Sequence, residues 1–343
     1  MDRHELLTRV ARLYYEEDLT QAEIAARTHV SRSTVSRLLD EARAKGIVEI
    51  IVHYPWDRVC HLEQALRQRF GLTEVIVLAR DDLTYDDMLR GLGVLAARYL
   101  QEVLEDGMTL GIARGTAVDS TVRALKPMTA RSVTVVQMIG AADADDSRTD
   151  SPQVAQALAR KYGGRYRHLH APLFVDSTSV RDALLRESSI RDTLLLTAEA
   201  DFALVGIGAP QVSPLLTEYL NAEELAQLTA EGAVGDICAR QYDIQGQVLD
   251  TELNHRVVGI DLETLHRVGQ VIGVAGGIAK AESILGALRG EHVDVLVTDQ
   301  EAACEVLRLD GAADAEARHG KVRENHIGAG VGRSGESDGA KGR

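Results

Sequence analysis

The sequence predicts an α/β protein, with an N-terminal winged helix-turn-helix joined to a larger domain built on a parallel sheet. Three observations predict it. Two short helical patterns separated by a tight turn fill residues 20–46. From residue 75 onward, short apolar runs with strand character alternate with helical stretches. Three of those apolar runs end in glycines. Alternating strands and helices specify a parallel sheet covered on both faces, and such sheets bind ligands in the loops at the C-terminal ends of their strands.

In chain order, Leu6, Leu7, Val10, Ala11, Leu13 and Tyr14 line one side of a first helix, which packs beneath the two that follow. Thr20 opens the second helix as N-cap, and Glu23 completes a capping box. Ser31 opens a third helix in which Val35, Leu38, Leu39 and Ala42 recur at helical spacing. Such a pair is a helix-turn-helix, whose second helix enters the DNA major groove. Arg32, Ser33, Thr34, Ser36 and Arg37 crowd its first turns, with Ser31 at the cap and Gln21 at the start of the preceding helix. Arg can fork onto guanine, and short hydroxyls bond phosphates or base edges, so these seven residues are the candidate DNA contacts. His29 stands where the inter-helix turn normally has Gly, and a positive φ at His carries a small local cost.

The run IVEIIVHY after Gly46 predicts a wing-like strand stopped by Pro55. Val59, Leu62, Leu66 and Phe70 then mark one face of a helix ended by Gly71. Two roles fit that helix equally: a connector that pairs two copies, or a face buried on its own large domain. The expected strands beyond it are VIVL, MTLGI, SVTVVQMI, ADFALVGIG, VIGVAG and VDVLVTD. After about Gly311 periodicity stops, and Gly, Ala, Ser and charge predominate, as in a disordered tail. The expected division is a DNA-binding domain over 1–55, a linker helix over 56–71, an effector and oligomerisation domain over 72–310, and a tail over 311–343.

Composition narrows the function class. Of the 343 residues, 45% are hydrophobic and 26% charged, as in a globular protein. A net charge of -14 argues against a non-specific coat for nucleic acid. It leaves room for site-specific DNA binding, because Arg27, Arg32, Arg37, Arg43 and Lys45 make one end of the first domain locally basic. Cys60, Cys238 and Cys304 are far apart, the eleven His form no ligand cluster, and no metal or cofactor is expected. The chain is charged from residue 2 and has no membrane-spanning run, so a cytoplasmic protein is expected.

The glycine-rich strand ends carry the second candidate site. Gly111-Ile-Ala-Arg-Gly115-Thr116 leads from a strand into a helix N-terminus, which aims backbone N–H groups and partial positive charge at one point. Gly115 admits close approach and Thr116 adds a hydroxyl. Arg114 supplies either a forked charge for phosphate or an ordinary loop charge. Gly206-Ile-Gly208 and Gly276-Gly277 end two other strands, and Lys280 follows the latter at a helix start, where the dipole disfavours a cation unless an anion sits beside it. Asp236, in GDICARQYD, is either an acceptor for ligand hydroxyls or one half of a Gly-Asp turn. Gln137, at the end of an apolar run, lies at a plausible pocket edge.

Together these segments resemble the SorC/DeoR family of bacterial sugar-responsive transcriptional regulators. The resemblance spans about residues 5–309. It rests on TQAEIA and VSRSTVSRLLDEARAKGIVEI, then GIARGTAV, GDICARQYD, VIGVAGGIAKAESILGAL and VLVTDQEAA, in that order. It implies an effector domain related to glucosamine-phosphate deaminases and ribose-phosphate isomerases. It also implies homodimers or homotetramers that release or rearrange on operator DNA when a phosphorylated sugar or polyol binds. By resemblance, Gly115, Thr116 and Ala117 form the phosphate loop, with Ala117 where a second Thr is often found. Lys280 would contact the phosphate and Asp236 the sugar. The alternative is a sugar-phosphate isomerase or deaminase. The Gly loops contain no His to move a proton, so no catalytic residue is assigned.

Overall fold

The computed structural model describes residues 3–48, 57–79, 83–128, 131–142 and 150–311. The expected wing falls almost wholly outside them, as does the expected tail. The chain forms two compact units, Met1–Pro55 and Trp56–Arg343.

The first unit is helical, with α1 Arg3–Tyr15, α2 Gln21–Thr28 and α3 Arg32–Ala44. Leu7, Val10, Ala11 and Leu13 of α1 share one core with Ile24 of α2 and with Val35, Leu38, Leu39 and Ala42 of α3. Both caps form. Glu23 N–H donates to the Thr20 hydroxyl at 3.4 Å while Thr20 N–H donates to Glu23 Oε2 at 2.8 Å, and Thr34 N–H donates to Ser31 Oγ at 3.1 Å. His29 ends α2 in the left-handed region, at φ 57° and ψ 36°, and its N–H donates to the Ala25 carbonyl. A side chain held there costs about 1–2 kcal/mol, part of which glycine returns as unfolded-chain entropy. His29→Gly is therefore expected to stabilise this unit by roughly 0.5–1 kcal/mol. An unchanged or lower denaturation midpoint for the N-terminal unit would contradict that assignment.

The second unit alternates helices and strands. It runs α4 Cys60–Phe70, β1 Glu74–Leu78, α5 Tyr85–Val103, β2 Thr109–Ile112, α6 Thr116–Ala124, β3 Thr134–Gln137, α7 Ser151–Lys161 and β4 Arg165–Arg167. It continues through α8 Thr178–Arg186, α9 Ser188–Ala198, β5 Phe202–Gly206, α10 Pro214–Tyr219, α11 Ala222–Ala230, and a hairpin of β6 Gly235–Ile237 and β7 Arg240–Tyr242. Last come α12 Glu252–His255, α13 Leu262–Leu265, β8 Gln270–Val274, α14 Ala281–Arg289, β9 Val295–Asp299 and a helix α15 over 300–311.

Seven strands form one all-parallel sheet in the order β1-β9-β8-β5-β2-β3-β4. Both faces are covered, and the apolar runs divide between them residue by residue. Val75 and Val77 pack into one core while Ile76 and Leu78 pack into the other. Leu62 and Leu66 of α4 are buried in the first of these cores, so the apolar face of that helix is used within its own unit. From β2 the chain winds outward through β3 and β4, whereas β5, β8 and β9 succeed one another on its other side. The order reverses between β2 and β5. A crevice at such a reversal, beyond the strands' C-terminal ends, is the usual ligand site of an open parallel sheet.

Candidate functional site

The loops after β2, β5 and β8 meet over that reversal. Gly206 lies against Arg114, whose carbonyl oxygen is 3.6 Å from where a Gly206 side chain would start. Lys280 reaches from the far side and donates from Nζ to the Ile207 carbonyl at 2.9 Å. Gly208 pairs with Asp236 of the hairpin, Gly208 N–H donating to the Asp236 carbonyl at 2.8 Å. A Cβ on Gly208 would stand 2.0 Å from Asp236 Oδ1, so only glycine fits beside that carboxylate. The structure thus gathers Arg114, Gly115, Thr116, Gly208, Asp236, Gly277 and Lys280 at the C-terminal ends of the strands beside that reversal.

Each part has a physical reason. Gly115 precedes α6 with φ 135° and ψ 157°, a conformation open to glycine, and no side chain caps the helix behind it. The first-turn N–H groups of α6 are therefore presented as anion donors. Ala117 lies buried in that first turn and has no hydroxyl to add. Lys280 occupies the N-cap position of α14 behind a short 3-10 turn, with no side-chain cap. Burial lowers the pKa of its ammonium, and Asp236 pulls it back up. Burial likewise pushes the Asp236 carboxyl up to about 6, against the attraction of Lys280 and Arg114 and a backbone hydrogen bond from Ala239. Asp236 and Lys280 both keep some accessible surface although protein crowds them closely, as expected of groups on the floor of a recess. Arg114 is mostly covered and lies 3.9 Å from Asp150, but its buried Nε has no hydrogen-bond partner.

Two sequence candidates serve the scaffold instead. Gly111 lies inside β2, where a Cβ would meet Met138 Sδ at 2.8 Å. Gln137 is fully buried, not at a pocket edge. Its Nε2 donates to the Ile139 carbonyl at 2.7 Å, and its Oε1 accepts from Leu169 N–H at 3.3 Å. Asp236 is a strand residue, and the turn lies two residues later. Cys238 and Ala239 take it at φ 54° and 61°, the double positive φ of a tight two-residue hairpin.

Sequence reasoning missed Tyr85. Thr84 caps α5, which places Tyr85 on the first turn after β1 and half exposed above the crevice. Its ring lies 3.8 Å from the position of a Gly277 Cβ, and burial raises its pKa while the Thr116 hydroxyl, within hydrogen-bonding reach, opposes the shift. The signal available was its place at a βα junction.

On the first unit, α3 buries its apolar face and turns Arg32, Ser33 and Arg37 outward, with Thr34 and Ser36 partly exposed. Gln21 sits partly exposed at the first position of α2. The Ser31 hydroxyl is occupied by its cap and lies 2.9 Å from Ser33 Oγ and 2.7 Å from Thr34 Oγ1. Most nearby cations are neutralised: Arg27 by Glu17, Arg43 by Asp40, and Arg3 and Lys45 by Glu41. Arg32 and Arg37 have no carboxylate partner among the described residues. Among the described residues, Arg32 and Arg37 thus remain at the start of α3 without a carboxylate, Arg37 Nε donating to the Ser33 carbonyl at 3.4 Å.

Comparison with known proteins bears on both halves. The Sugar-bind family model, describing a sugar-binding domain, matches residues 54–308, and a MarR family model matches residues 10–53. The chain belongs to the SorC/DeoR family of sugar-binding transcriptional regulators. It is 33% identical over 302 residues to the sorbitol operon regulator of Klebsiella pneumoniae, covering 87% of this chain and 96% of that protein. It is 33% identical over 304 residues to the deoxyribonucleoside regulator of Bacillus subtilis, covering 88% and 97%. The crystal structure of the full-length Klebsiella regulator superposes with a TM-score of 0.68 at 33% identity, over 90% of this chain and 100% of that one. These family members are regulators rather than enzymes, and the helix-turn-helix and sugar-binding units fit that role. Among the described residues no helix is long and apolar enough to cross a membrane, and no three His, Cys, Asp or Glu side chains group as metal ligands.

Proposed function

We propose that this family member controls a carbohydrate or polyol catabolic operon, and that a phosphorylated sugar or polyol bound in the crevice sets its hold on operator DNA. The observation that carries this reading is the convergence of an uncapped helix N-terminus at Gly115–Thr116, a recessed Lys280 and a recessed Asp236. The first two suit a phosphate and the third suits hydroxyls, at opposite ends of one small molecule. Tyr85, close to Thr116, closes the phosphate end. The enzyme alternative draws no reacting carboxylate from the end of α15. Asp310, near the end of α15, lies about 15 Å of helix beyond the β9 end, and Arg69 and Arg289 bind it there.

Operator binding is proposed to use Arg32 and Arg37 from two copies on paired half-sites, with the larger unit supplying the homodimer or homotetramer contacts. Control then requires the effector to favour one arrangement of the copies over another, typically by 1–3 kcal/mol of coupling. The test is thermal unfolding of the full chain against phosphorylated sugars and polyols, each beside its unphosphorylated parent. The expected result is a shift with a phosphate ester and none with the parent alcohol. Equal shifts with both, or with neither, would remove the phosphate site. Turnover of the same compounds would favour the enzyme.

A further inference from the structure

One buried side chain in the second unit has an unusual account of its hydrogen bonds. Gln241 of β7 is fully buried, and neither its Oε1 nor its Nε2 has a hydrogen-bond partner. Its backbone is well satisfied, with N–H donating to Asn254 Oδ1 at 2.8 Å and the carbonyl accepting from Asn254 Nδ2 at 2.9 Å. The deficit is therefore confined to the amide. Leaving a buried donor or acceptor unpaired is destabilising, and this amide leaves both unpaired. An apolar side chain of similar size would avoid that cost.

The position of the amide suggests why it is there. Gln241 pairs directly with Asp236 across the hairpin, so the two side chains emerge on the same face. Opposed residues of an antiparallel pair have Cβ atoms about 4.5–5.5 Å apart, within one hydroxyl of each other. Gly208, bridged to Asp236 from the other side, adds no side chain to this face. The adjoining residues Gly235 and Tyr242 point the other way, where the Tyr242 hydroxyl donates to the Ser283 carbonyl. The hairpin is held in place by its left-handed Cys238–Ala239 turn and by Arg240, which donates to the carbonyls of Asn254 and Val257. It thus sets side by side a partly exposed carboxylate that only accepts and a buried amide that can both donate and accept.

We infer that Gln241 is a specificity-determining residue that reads the sugar portion of the effector beside Asp236. This rests on the crevice being the effector site. Asp236 takes the hydrogen of one hydroxyl. Gln241, after a side-chain rotation, donates Nε2–H to that oxygen or its neighbour and accepts with Oε1 from the next hydroxyl. The ligand class is a phosphate ester with at least two adjacent hydroxyls, or a hydroxyl beside a carbonyl, at the end remote from phosphate. A site built to bond such groups rejects analogues lacking them, because the unpaired amide then stays unpaired.

The test compares wild type with Gln241→Leu and Gln241→Asn by titration with inorganic phosphate and with a panel of pentose and hexose phosphates, including their deoxy analogues. Gln241→Leu keeps the volume and removes the unpaired amide, so the free protein is expected to unfold at the same temperature or higher. Its affinity for the best wild-type sugar phosphate is expected to fall about tenfold or more. Its affinity for inorganic phosphate should not change, and its discrimination against deoxy analogues should be lost. Gln241→Asn withdraws the amide by one methylene and is expected to weaken the same ligand, giving a second reading should the leucine variant not fold. Unaltered sugar-phosphate affinity and discrimination in the variants would overturn the inference while leaving the phosphate site standing. A wild type that responds to no phosphate ester would overturn both.

Discussion

Replacing Lys280 is expected to remove most of the stabilisation that a phosphorylated effector confers. At about 100 times its dissociation constant, a ligand specific for the native state stabilises it by about 2.7 kcal/mol. Lys280 is the recessed cation beside Gly277 and at the head of α14, and an anion there meets both a charge and a helix N-terminus. Lys280→Met keeps the aliphatic stem and removes the charge. An affinity loss of about 100-fold would leave only roughly 0.4 kcal/mol at the same ligand concentration. The free protein will also change, because Nζ donates to the Ile207 carbonyl and that acceptor loses its partner. The measurement is therefore the difference between liganded and free melting temperatures for each protein. A difference equal to wild type would falsify the role of Lys280. Asp236 is a further check by pH. Its folded pKa stands above that of an unfolded Asp, so its neutral form favours folding, and that contribution is lost as pH rises from about 4 through about 6. Asp236→Asn is expected to flatten this part of the stability profile.

The second large effect is expected at the start of α3. Arg32→Ala and Arg37→Ala should each weaken binding to a DNA fragment selected from a random pool by the wild-type protein. An arginine that reads a base contributes about 1–3 kcal/mol and fixes preference at one position, whereas a phosphate contact weakens all sequences alike and lowers the salt slope by about 1. Arg27→Ala and Arg43→Ala are the controls, because Glu17 and Asp40 already hold those side chains. Near-wild-type binding is expected for them. If the controls lose as much affinity as the α3 variants, Arg32 and Arg37 are not the particular DNA contacts and the acidic partners must release theirs on binding.

That division among the arginines marks a limit on what the sequence discloses. Five cations cluster near α3 in the chain, and the pairs Arg43–Asp40 and Lys45–Glu41 lie within one helical turn, but Arg27 with Glu17 and Arg3 with Glu41 are brought together only by tertiary packing. The caps at Thr20 and Ser31 are local chemistry and could be read directly. The inner strands were legible for a similar reason: buried on both faces, they are nearly continuous apolar runs, as in Val295–Leu296–Val297. The edge strand Arg165-Tyr166-Arg167 has no such run, and the hairpin turn at Cys238–Ala239 has neither Gly nor Asn to announce a positive φ. Glycines marked the loops of the crevice, but the side chains that complete it came from elsewhere. Tyr85 belongs to a helix start and Gln241 to a hairpin, and neither residue type signals a pocket in isolation. Gln137 shows the converse, since a polar residue ending an apolar strand is as readily a brace for the backbone as a ligand contact.

The pairing of β1 with β9 bears on the order in which the halves of the protein come into being. Glu74 meets Val295 and Leu78 meets Asp299, so the sheet edge waits for a strand made more than two hundred residues later. The three helices of the first unit need only their own neighbourhood and can assemble once Ala44 has cleared the ribosome. At about 5–20 residues per second, the interval before β9 is synthesised is roughly 10–50 s. During each round of translation the three helices of the first unit can therefore form before the sheet of the second unit is closed.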